Sequence, residues 1–317
     1  MSTDIEWAED VANPTTGCDR TSPGCDNCYA LRMAGRLKVV GQQKYQRDGD
    51  PRTSGPGFGV TEHPDVLAKM LRRRKPARVF LNSMSDIFHA DVSDEFIARV
   101  FAVMALTPHV TYQVLTKRHG RMRSLLTDDR FRGDIERARR NLVNDPPEGL
   151  SDAAAWRLLT GNTEGPGGLG VYMKPMAWPL PNVWLGVSVE DQKWADIRIP
   201  ALLETPAAVR WVSAEPLLGP IDFNFLAGIS ALEPDWVGGT GGGTGAPHPL
   251  LSWVVVGGES GPGAREMELA WANSIVADCQ AAGVPVLVKQ LGTVAGGKSH
   301  HDITTFPPEL QVREYPA

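Results

Sequence analysis

Short, almost continuously apolar runs recur along this chain, and each of them stops at a polar group. Such runs are typical of strands buried on both faces of a parallel sheet, because a strand with one wet face alternates apolar and polar residues. The seven runs that we interpret as strands cover residues 5–8, 78–82, 111–116, 183–188, 209–213, 253–257 and 284–289.

Patterns with helical spacing lie between these runs, so the chain consists of successive strand–helix units. Ser93 has the residue type and position of a helix N-cap, because apolar residues with helical spacing follow it directly. The predicted helices cover residues 28–39, 64–74, 93–106, 191–204 and 266–282. The predicted fold class is α/β, a partial or full (β/α) barrel with parallel strands and helices outside, whose chemistry lies at the carboxyl ends of the strands.

The 317 residues are enough for one large α/β domain, which we place over residues 1–317. Two segments have the composition of insertions. Residues 127–182 combine a charged helical stretch with many prolines, and residues 226–252 contain a glycine run too rich in glycine to pack a core. Residues 293–317 are expected to form a C-terminal tail.

Composition restricts the cellular setting. No run approaches the ~18 apolar residues that span a bilayer, and the amino terminus lacks the basic and apolar regions of a secretion signal. We therefore expect a cytoplasmic protein without membrane contact. Thiols stay reduced in that compartment, so clustered cysteines there indicate metal binding rather than disulfides.

Charge is distributed unevenly around a net charge of −5. Residues 69–140 hold 16 Lys and Arg but 8 Asp and Glu, a local balance of +8. This stretch is either a phosphate-binding face, with nucleic acid as a candidate partner, or a set of solvated helix faces.

Cys18, Cys25 and Cys28 fall within eleven residues, in the spacing C-x6-C-x2-C. Three thiols are too few for a zinc site made only of cysteine, but they suffice to hold three irons of a [4Fe-4S] cluster. The fourth iron would then be open to a small molecule such as S-adenosylmethionine (SAM). Two alternatives remain, namely a redox pair at Cys25 and Cys28 or a zinc site completed by one further ligand. The candidates for that ligand are His63, His89 and Asp26.

Polar groups follow six of the predicted strands. In a barrel of parallel strands these groups would line one common mouth. They lie at residues 82–86, 116–118, 188–190, 213–215, 257–260 and 289–290. Lys117, Arg118 and Lys289 are the cations of this set, and Glu215 and Glu259 are carboxylates able to bind polar groups or move protons.

Blocks of sequence along most of the chain resemble a phage-associated family of three-Cys-motif, radical-SAM-like proteins of unassigned substrate. The blocks include Ser22-Pro-Gly-Cys-Asp-Asn-Cys-Tyr-Ala30, Asn82-Ser-Met-Ser-Asp-Ile-Phe88, Trp184-Leu-Gly-Val-Ser188 and Gly257-Gly-Glu-Ser-Gly261. The resemblance implies a barrel of the radical SAM type, a [4Fe-4S] cluster on Cys18, Cys25 and Cys28, SAM as cofactor, and an external electron donor.

The resemblance also implies roles for strand-end residues. Radical SAM enzymes usually carry C-x3-C-x2-C with an aromatic residue before the last cysteine. This chain has three more residues between the first two cysteines, and Asn27 stands where the aromatic residue is expected. The implied SAM contacts are Ser83, Ser85 and Asp86 for the amino group, Ser188 and Glu190 for the ribose, and Tyr29 beside the last cysteine. The predicted catalytic residues, which follow from the chemistry of the strand ends, are Glu215, Glu259 and Lys117.

The expected function is reductive cleavage of SAM, followed by action of the 5′-deoxyadenosyl radical on an unidentified substrate. Nucleic acid is one candidate substrate, by analogy with spore photoproduct lyase, which repairs DNA. A partner protein is a further option. Two other classes stay open. One is a non-catalytic Zn or Fe–S nucleic-acid-binding module, and the other is a hydrolase with Glu215 and Glu259 as paired carboxylates. Cys279 is expected to be a buried thiol, with hydrogen-atom donation as its alternative.

Overall fold

Seven parallel strands form one sheet in which strand order follows chain order. This computed structural model describes residues 5–145, 175–226, 230–232, 250–293, 299–300 and 302–316. The strands are β1 (Asp10–Ala12), β2 (Ala77–Leu81), β3 (Val110–Thr116), β4 (Val183–Ser188), β5 (Val209–Ala214), β6 (Trp253–Gly257) and β7 (Val286–Gln290). The sheet curves into a half-barrel with helices around it, which confirms the predicted α/β class and the partial barrel.

Seven helices of the described residues accompany the sheet. They are α1 (Tyr29–Val39), α2 (Pro64–Leu71), α3 (Asp94–Leu106), α4 (His119–Leu126), α5 (Asp129–Asn144), α6 (Gln192–Leu203) and α7 (Leu269–Ala281). The predicted cap of α3 is confirmed, because Ser93 Oγ accepts a hydrogen bond of 3.2 Å from the Phe96 amide. No helix in the described part of the chain is long and apolar enough to cross a membrane.

Aromatic side chains dominate a second core cluster that packs against the sheet. The centroid of the Trp7 ring lies 4.5 Å from that of the Phe80 ring of β2 and 5.1 Å from that of the Trp211 ring of β5. Trp7 therefore packs between two strands that are not neighbours in the sheet. A Cβ at Gly186 of β4 would lie 2.4 Å from the Trp211 ring, which explains the glycine there. The prediction of a strand over residues 5–8 is wrong. This segment is apolar because it plugs the half-barrel, and the first strand begins at Asp10.

The C-terminal segment covers the free edge of β7. The Val288 amide donates to the Val312 carbonyl (2.9 Å), and the Glu314 amide donates to the Val286 carbonyl (3.0 Å). The Tyr315 hydroxyl also donates to the Glu6 carbonyl (3.1 Å). Main-chain pairing of this kind occupies an exposed sheet edge, so most of the expected tail is part of the fold.

The two expected insertions differ in what the structure describes. Residues 127–182 contain α5, whose Phe131 ring packs 6.5 Å from Phe101 of α3, so α5 belongs to the outer helix layer. Residues 146–174 lie outside the described residues, as does most of 226–252, including the glycine run.

Candidate active site

A cavity of about 290 Å³ opens at the carboxyl ends of the strands, where the sequence predicts the site. Of the residues predicted for the site, all but Glu190 and Arg118 line it: Cys18, Cys25, Cys28, Tyr29, Ser83, Ser85, Asp86, Lys117, Ser188, Glu215, Glu259 and Lys289. The half-barrel therefore brings polar groups from six strand ends together with the cysteine loop.

The cysteine loop leaves β1 and is held beside the loop that follows β2. The Gly17 amide donates to the Met84 carbonyl (3.0 Å), and the Met84 amide donates to Asn13 Oδ1 (3.1 Å). Gly17 has a φ of +90°, and a Cβ there would lie 2.4 Å from the Gly59 carbonyl oxygen. Only glycine fits this position, so the residue before Cys18 fixes where the loop turns.

Cys18 and Cys25 occupy different electrostatic settings. Burial, followed by the nearby Asp86 carboxylate, raises the pKa of Cys18 to about 12, although Arg118 Nη2 lies 3.9 Å from its sulfur. Burial also opposes ionisation of Cys25, but Lys117 and hydrogen bonds from the Thr21 and Ser22 region outweigh it and lower its pKa. Cys25 is therefore the thiol that ionises more readily of these two.

Each cysteine of the chain is a free thiol. In the part of the chain that the structure describes, no three His, Cys, Asp or Glu side chains are already arranged as a metal site. The donor chemistry nevertheless suits iron–sulfur binding, because three soft ligands on one loop line one cavity, with the cations Lys117 and Arg118 nearby.

Both ring nitrogens of His89 already form hydrogen bonds, one of them to Asp19 of the cysteine loop. Its Nδ1 accepts a hydrogen bond from the Asp91 amide (3.1 Å), so the ring proton lies on Nε2 and is donated to Asp19 Oδ2 (3.0 Å). Burial, followed by the positive charge of Arg118, lowers the pKa of His89. The ring is therefore neutral near pH 7, and its Nδ1 lone pair is occupied.

The two other candidates for a fourth zinc ligand are also engaged. His63 Nε2 lies 2.8 Å from Thr16 Oγ1, and Asp26 Oδ2 lies 3.5 Å from Arg265 Nη1. Among the described residues, neither side chain forms a metal-ligating group with the thiols. None of the three predicted candidates is therefore placed to complete a zinc site with the thiols among the described residues.

Glu259 holds the second half of the cysteine loop in place. Its Oε2 accepts from Asn27 Nδ2 (2.8 Å) and from Arg265 Nε (3.0 Å), and its Oε1 accepts from Arg265 Nη2 (2.5 Å). Arg265 Nη2 also donates to the Pro23 carbonyl (2.8 Å). Burial raises the pKa of Glu259, but Arg265 and Asn27 outweigh burial and lower it. A carboxylate held this way is a poor proton carrier, which weakens the paired-carboxylate hydrolase.

Glu190 does not line the cavity. Its Oε2 accepts from Arg198 Nη1 (2.8 Å), and its Oε1 accepts from the Gly24 amide (3.2 Å). Glu190 and Arg198 are both fully buried. Glu190 was predicted to bind ribose, but its oxygens instead tie the cysteine loop to the end of β4.

The Asp86 carboxylate connects the ends of β2 and β3. Its oxygens accept hydrogen bonds from Thr116 Oγ1 (2.8 Å), the Lys117 amide (3.0 Å) and the Phe88 amide (3.0 Å). These contacts use much of its capacity as an acceptor, so Asp86 shapes the cavity wall.

Ser83 and Ser85 join the cysteine loop to the loop after β2. Ser85 Oγ donates to the Thr15 carbonyl (2.8 Å), and the Tyr29 hydroxyl donates to the Ser83 carbonyl (2.5 Å). Asn82 lies between these groups in left-handed backbone, with a φ of +65°. Its side-chain nitrogen donates to Thr15 Oγ1 and Ser85 Oγ, both at 2.5 Å.

The remaining predicted residues form a charged row inside the mouth. Lys117 Nζ donates to Ser188 Oγ (2.7 Å), and Glu215 Oε1 lies 3.1 Å from Lys289 Nζ. Burial lowers the pKa of Lys289, but the Glu215 carboxylate outweighs burial and raises it. Lys289 therefore carries its positive charge at neutral pH.

The basic stretch is used largely within the protein. Eight of its sixteen Lys and Arg side chains form ion pairs with Asp or Glu: Lys69, Arg73, Arg78, Arg121, Arg123, Arg132, Arg137 and Arg139. This pairing favours solvated helix faces over a nucleic-acid surface.

Cys279 is fully buried on α7 and does not line the cavity. Burial is the main cause that raises its pKa to about 12. The prediction of a buried thiol is confirmed, and the described residues around Cys279 give hydrogen-atom donation no support.

Sequence reasoning missed three residues that hold the cysteine loop, namely Asn27, Arg198 and Arg265. For Arg265 a signal existed, because an arginine six residues after Glu259 in a glycine-rich turn can fold back on that carboxylate. Arg198 lies on a helix among apolar residues, where only the fold reveals its partner.

Fold and site together define a parallel α/β half-barrel with a three-cysteine loop over a cavity at its mouth. Residues 2–308 match a family described as protein of unknown function, DUF5131, and the chain belongs to this family. No curated protein and no solved structure matches the chain.

Proposed function

We propose that this protein is a radical SAM enzyme, with a [4Fe-4S] cluster held by Cys18, Cys25 and Cys28. The observation that carries the proposal is that these three thiols, all on the loop after the first strand, line one cavity at the carboxyl ends of a parallel half-barrel. When bound, the cluster and SAM would supply one electron and a carbon radical able to remove a hydrogen atom from a substrate.

The tasks of the protein's own residues follow from their contacts. Lys117 and Arg118 lie beside Cys25 and Cys18 and would offset the negative charge of thiolate ligands. Glu190 and Glu259 would keep the loop in position through Gly24 and through Asn27.

The apolar floor of the cavity would keep water from the reacting carbon. It consists of Ile5, Trp7, Phe80 and Leu115. Exclusion of water and of stray hydrogen donors is what a carbon radical requires.

Reductive cleavage of SAM tests the proposal. Protein reconstituted with iron and sulfide without oxygen should release 5′-deoxyadenosine from SAM when dithionite supplies electrons in place of the external donor. Cys18→Ser, Cys25→Ser and Cys28→Ser should each abolish this product, whereas Cys279→Ala, which leaves the cavity unchanged, should retain it. Equal product from all four variants would refute the proposal. A colourless protein with one bound zinc would instead support the non-catalytic module.

A further inference from the structure

The charged groups at the mouth of the half-barrel form one connected row across four strands. Lys117, after β3, donates to Ser188 at the end of β4, and Ser188 Oγ donates to the Glu215 carbonyl (2.9 Å). Ser213 of β5 donates to Glu215 Oε2 (3.2 Å), and Lys289 of β7 lies 3.1 Å from Oε1. Two ammonium groups and one carboxylate leave this row with a net positive charge.

Both ammonium groups keep donors that the described residues do not use. A lysine ammonium has three N–H donors, yet among the described residues the Lys117 ammonium hydrogen-bonds to Ser188 and to no other side chain, and the Lys289 ammonium is ion-paired with Glu215 and with no other carboxylate. Both side chains line the cavity. An anion in the cavity would accept these remaining donors in charge-assisted hydrogen bonds.

Two side chains that line the same cavity carry a buried oxygen without an aligned hydrogen-bond donor among the described residues. Asn82 Oδ1 accepts no hydrogen bond from the described residues, and Asn82 is only 3% exposed. Glu215 Oε1 is ion-paired with Lys289, but no donor is aligned with it. A Cβ at Gly257 would lie 2.4 Å from that oxygen, so the glycine makes room for the carboxylate. Buried acceptors of this kind are satisfied by water or by a ligand that brings N–H or O–H groups.

We propose that Lys117 and Lys289 form a binding site for the carboxylate or phosphate group of a small substrate. The ligand would also carry a hydroxyl or amine that donates to Glu215 Oε1 or Asn82 Oδ1. Its apolar or aromatic part would rest on Trp7, beside the cysteine loop. As a statement about the substrate, this inference rests on the proposed function, but the anion site itself requires neither cluster nor SAM.

Size and charge favour a small molecule over a nucleic acid. The cavity of about 290 Å³ is at the lower end of the usual range for small-molecule sites. Eight of the sixteen basic side chains in residues 69–140 already pair with carboxylates of the protein, which lowers the net positive charge that this stretch offers to a chain of phosphates.

Titration with inorganic phosphate, followed by its 31P line width at constant ionic strength, tests the site. Wild-type protein should give saturable broadening, and Lys117→Met and Lys289→Met should each weaken binding at least roughly tenfold. Lys75→Met is the matched control, because Lys75 is an exposed lysine of the same basic stretch, and it should leave binding unchanged. Circular dichroism checks the fold of each variant, and the two cavity variants are independent tests.

Competition experiments identify the ligand class. Acetate that displaces phosphate indicates a carboxylate as the natural group, and acetate that fails to do so indicates a phosphate; both results agree with the site. Full displacement of phosphate by SAM in reconstituted protein would overturn the assignment to substrate. Displacement by a single-stranded oligonucleotide would overturn the assignment to a small molecule.

A triple Cys18→Ala, Cys25→Ala, Cys28→Ala variant separates this inference from the proposed function. Phosphate binding that persists there supports the anion site, whatever the outcome of SAM cleavage. Equal phosphate affinity in wild type and both lysine variants rejects the anion site, even where SAM is cleaved. Broadening that does not saturate rejects it as well.

Discussion

The buried pair of Glu190 and Arg198 gives the most quantitative prediction about how the cysteine loop is held. Both side chains are fully buried, and Arg198 Nη1 donates to Glu190 Oε2 (2.8 Å) and to the Ser188 carbonyl (2.7 Å). Glu190→Ala removes the only carboxylate on this guanidinium among the described residues. An uncompensated buried charge costs about 3–5 kcal/mol, and the lost contact to the Gly24 amide adds about 1 kcal/mol.

Equilibrium urea unfolding at neutral pH measures this cost. The expected loss in the free energy of unfolding is about 4 kcal/mol or more for Glu190→Ala, and Glu190→Gln should lose less because it keeps an acceptor for Gly24. The control is Glu204→Ala. Glu204 pairs with Arg123 at 2.5 Å, but the two side chains are 61% and 47% exposed, so its loss should cost at most about 1 kcal/mol. Equal costs for Glu190→Ala and Glu204→Ala would refute the reasoning.

Three further predictions concern the loop clamp and the packing of the sheet. Arg265 lowers the pKa of Glu259 in the folded protein below its usual value near 4.5. The Glu259 carboxylate therefore stabilises the fold at pH values above about 4.5, and this stabilisation is lost as the pH falls through the lowered pKa. The stability difference between wild type and Glu259→Gln should therefore shrink only below about pH 4.5 in urea unfolding; a constant difference down to about pH 2 would contradict this. Gly186→Ala should destabilise the protein by about 1–3 kcal/mol, because the new Cβ would lie 2.4 Å from the Trp211 ring, and an unchanged urea midpoint would speak against this packing. Gly133→Ala in α5, where a Cβ meets no atom within 4 Å, should instead raise the melting temperature, in line with a gain of about 0.5–1 kcal/mol.

The fold was largely predictable because each strand of a parallel sheet buried on both faces is a continuous apolar run in the sequence. Such a run can be identified without knowing which strands pair with it. The six strands from β2 to β7 lie within two residues of their predicted bounds. The segment 5–8 has the same apolar character, but Trp7 packs inside the half-barrel instead of pairing in the sheet. The apolar residues of a segment indicate that it is buried, but they do not indicate whether its backbone hydrogen-bonds to a neighbouring strand.

The members of the site were more predictable than their roles. Parallel strands place their carboxyl ends on one edge, so the polar residues there had to share a mouth. What Glu190 and Glu259 do depends on Arg198 and Arg265, which reach them only in the folded chain. A carboxylate at a strand end therefore has the same sequence signature whether it faces a ligand or holds a loop.

Iron and acid-labile sulfide bound by the reconstituted, oxygen-free protein provide the most direct test of the proposed cluster. The prediction is about four irons and four sulfides per chain, with most of both lost when Cys18, Cys25 and Cys28 are together replaced by alanine. Cys279→Ala should keep the full content. Wild-type protein without iron and sulfide, or a triple variant that binds as much of both as wild type, would contradict the assignment.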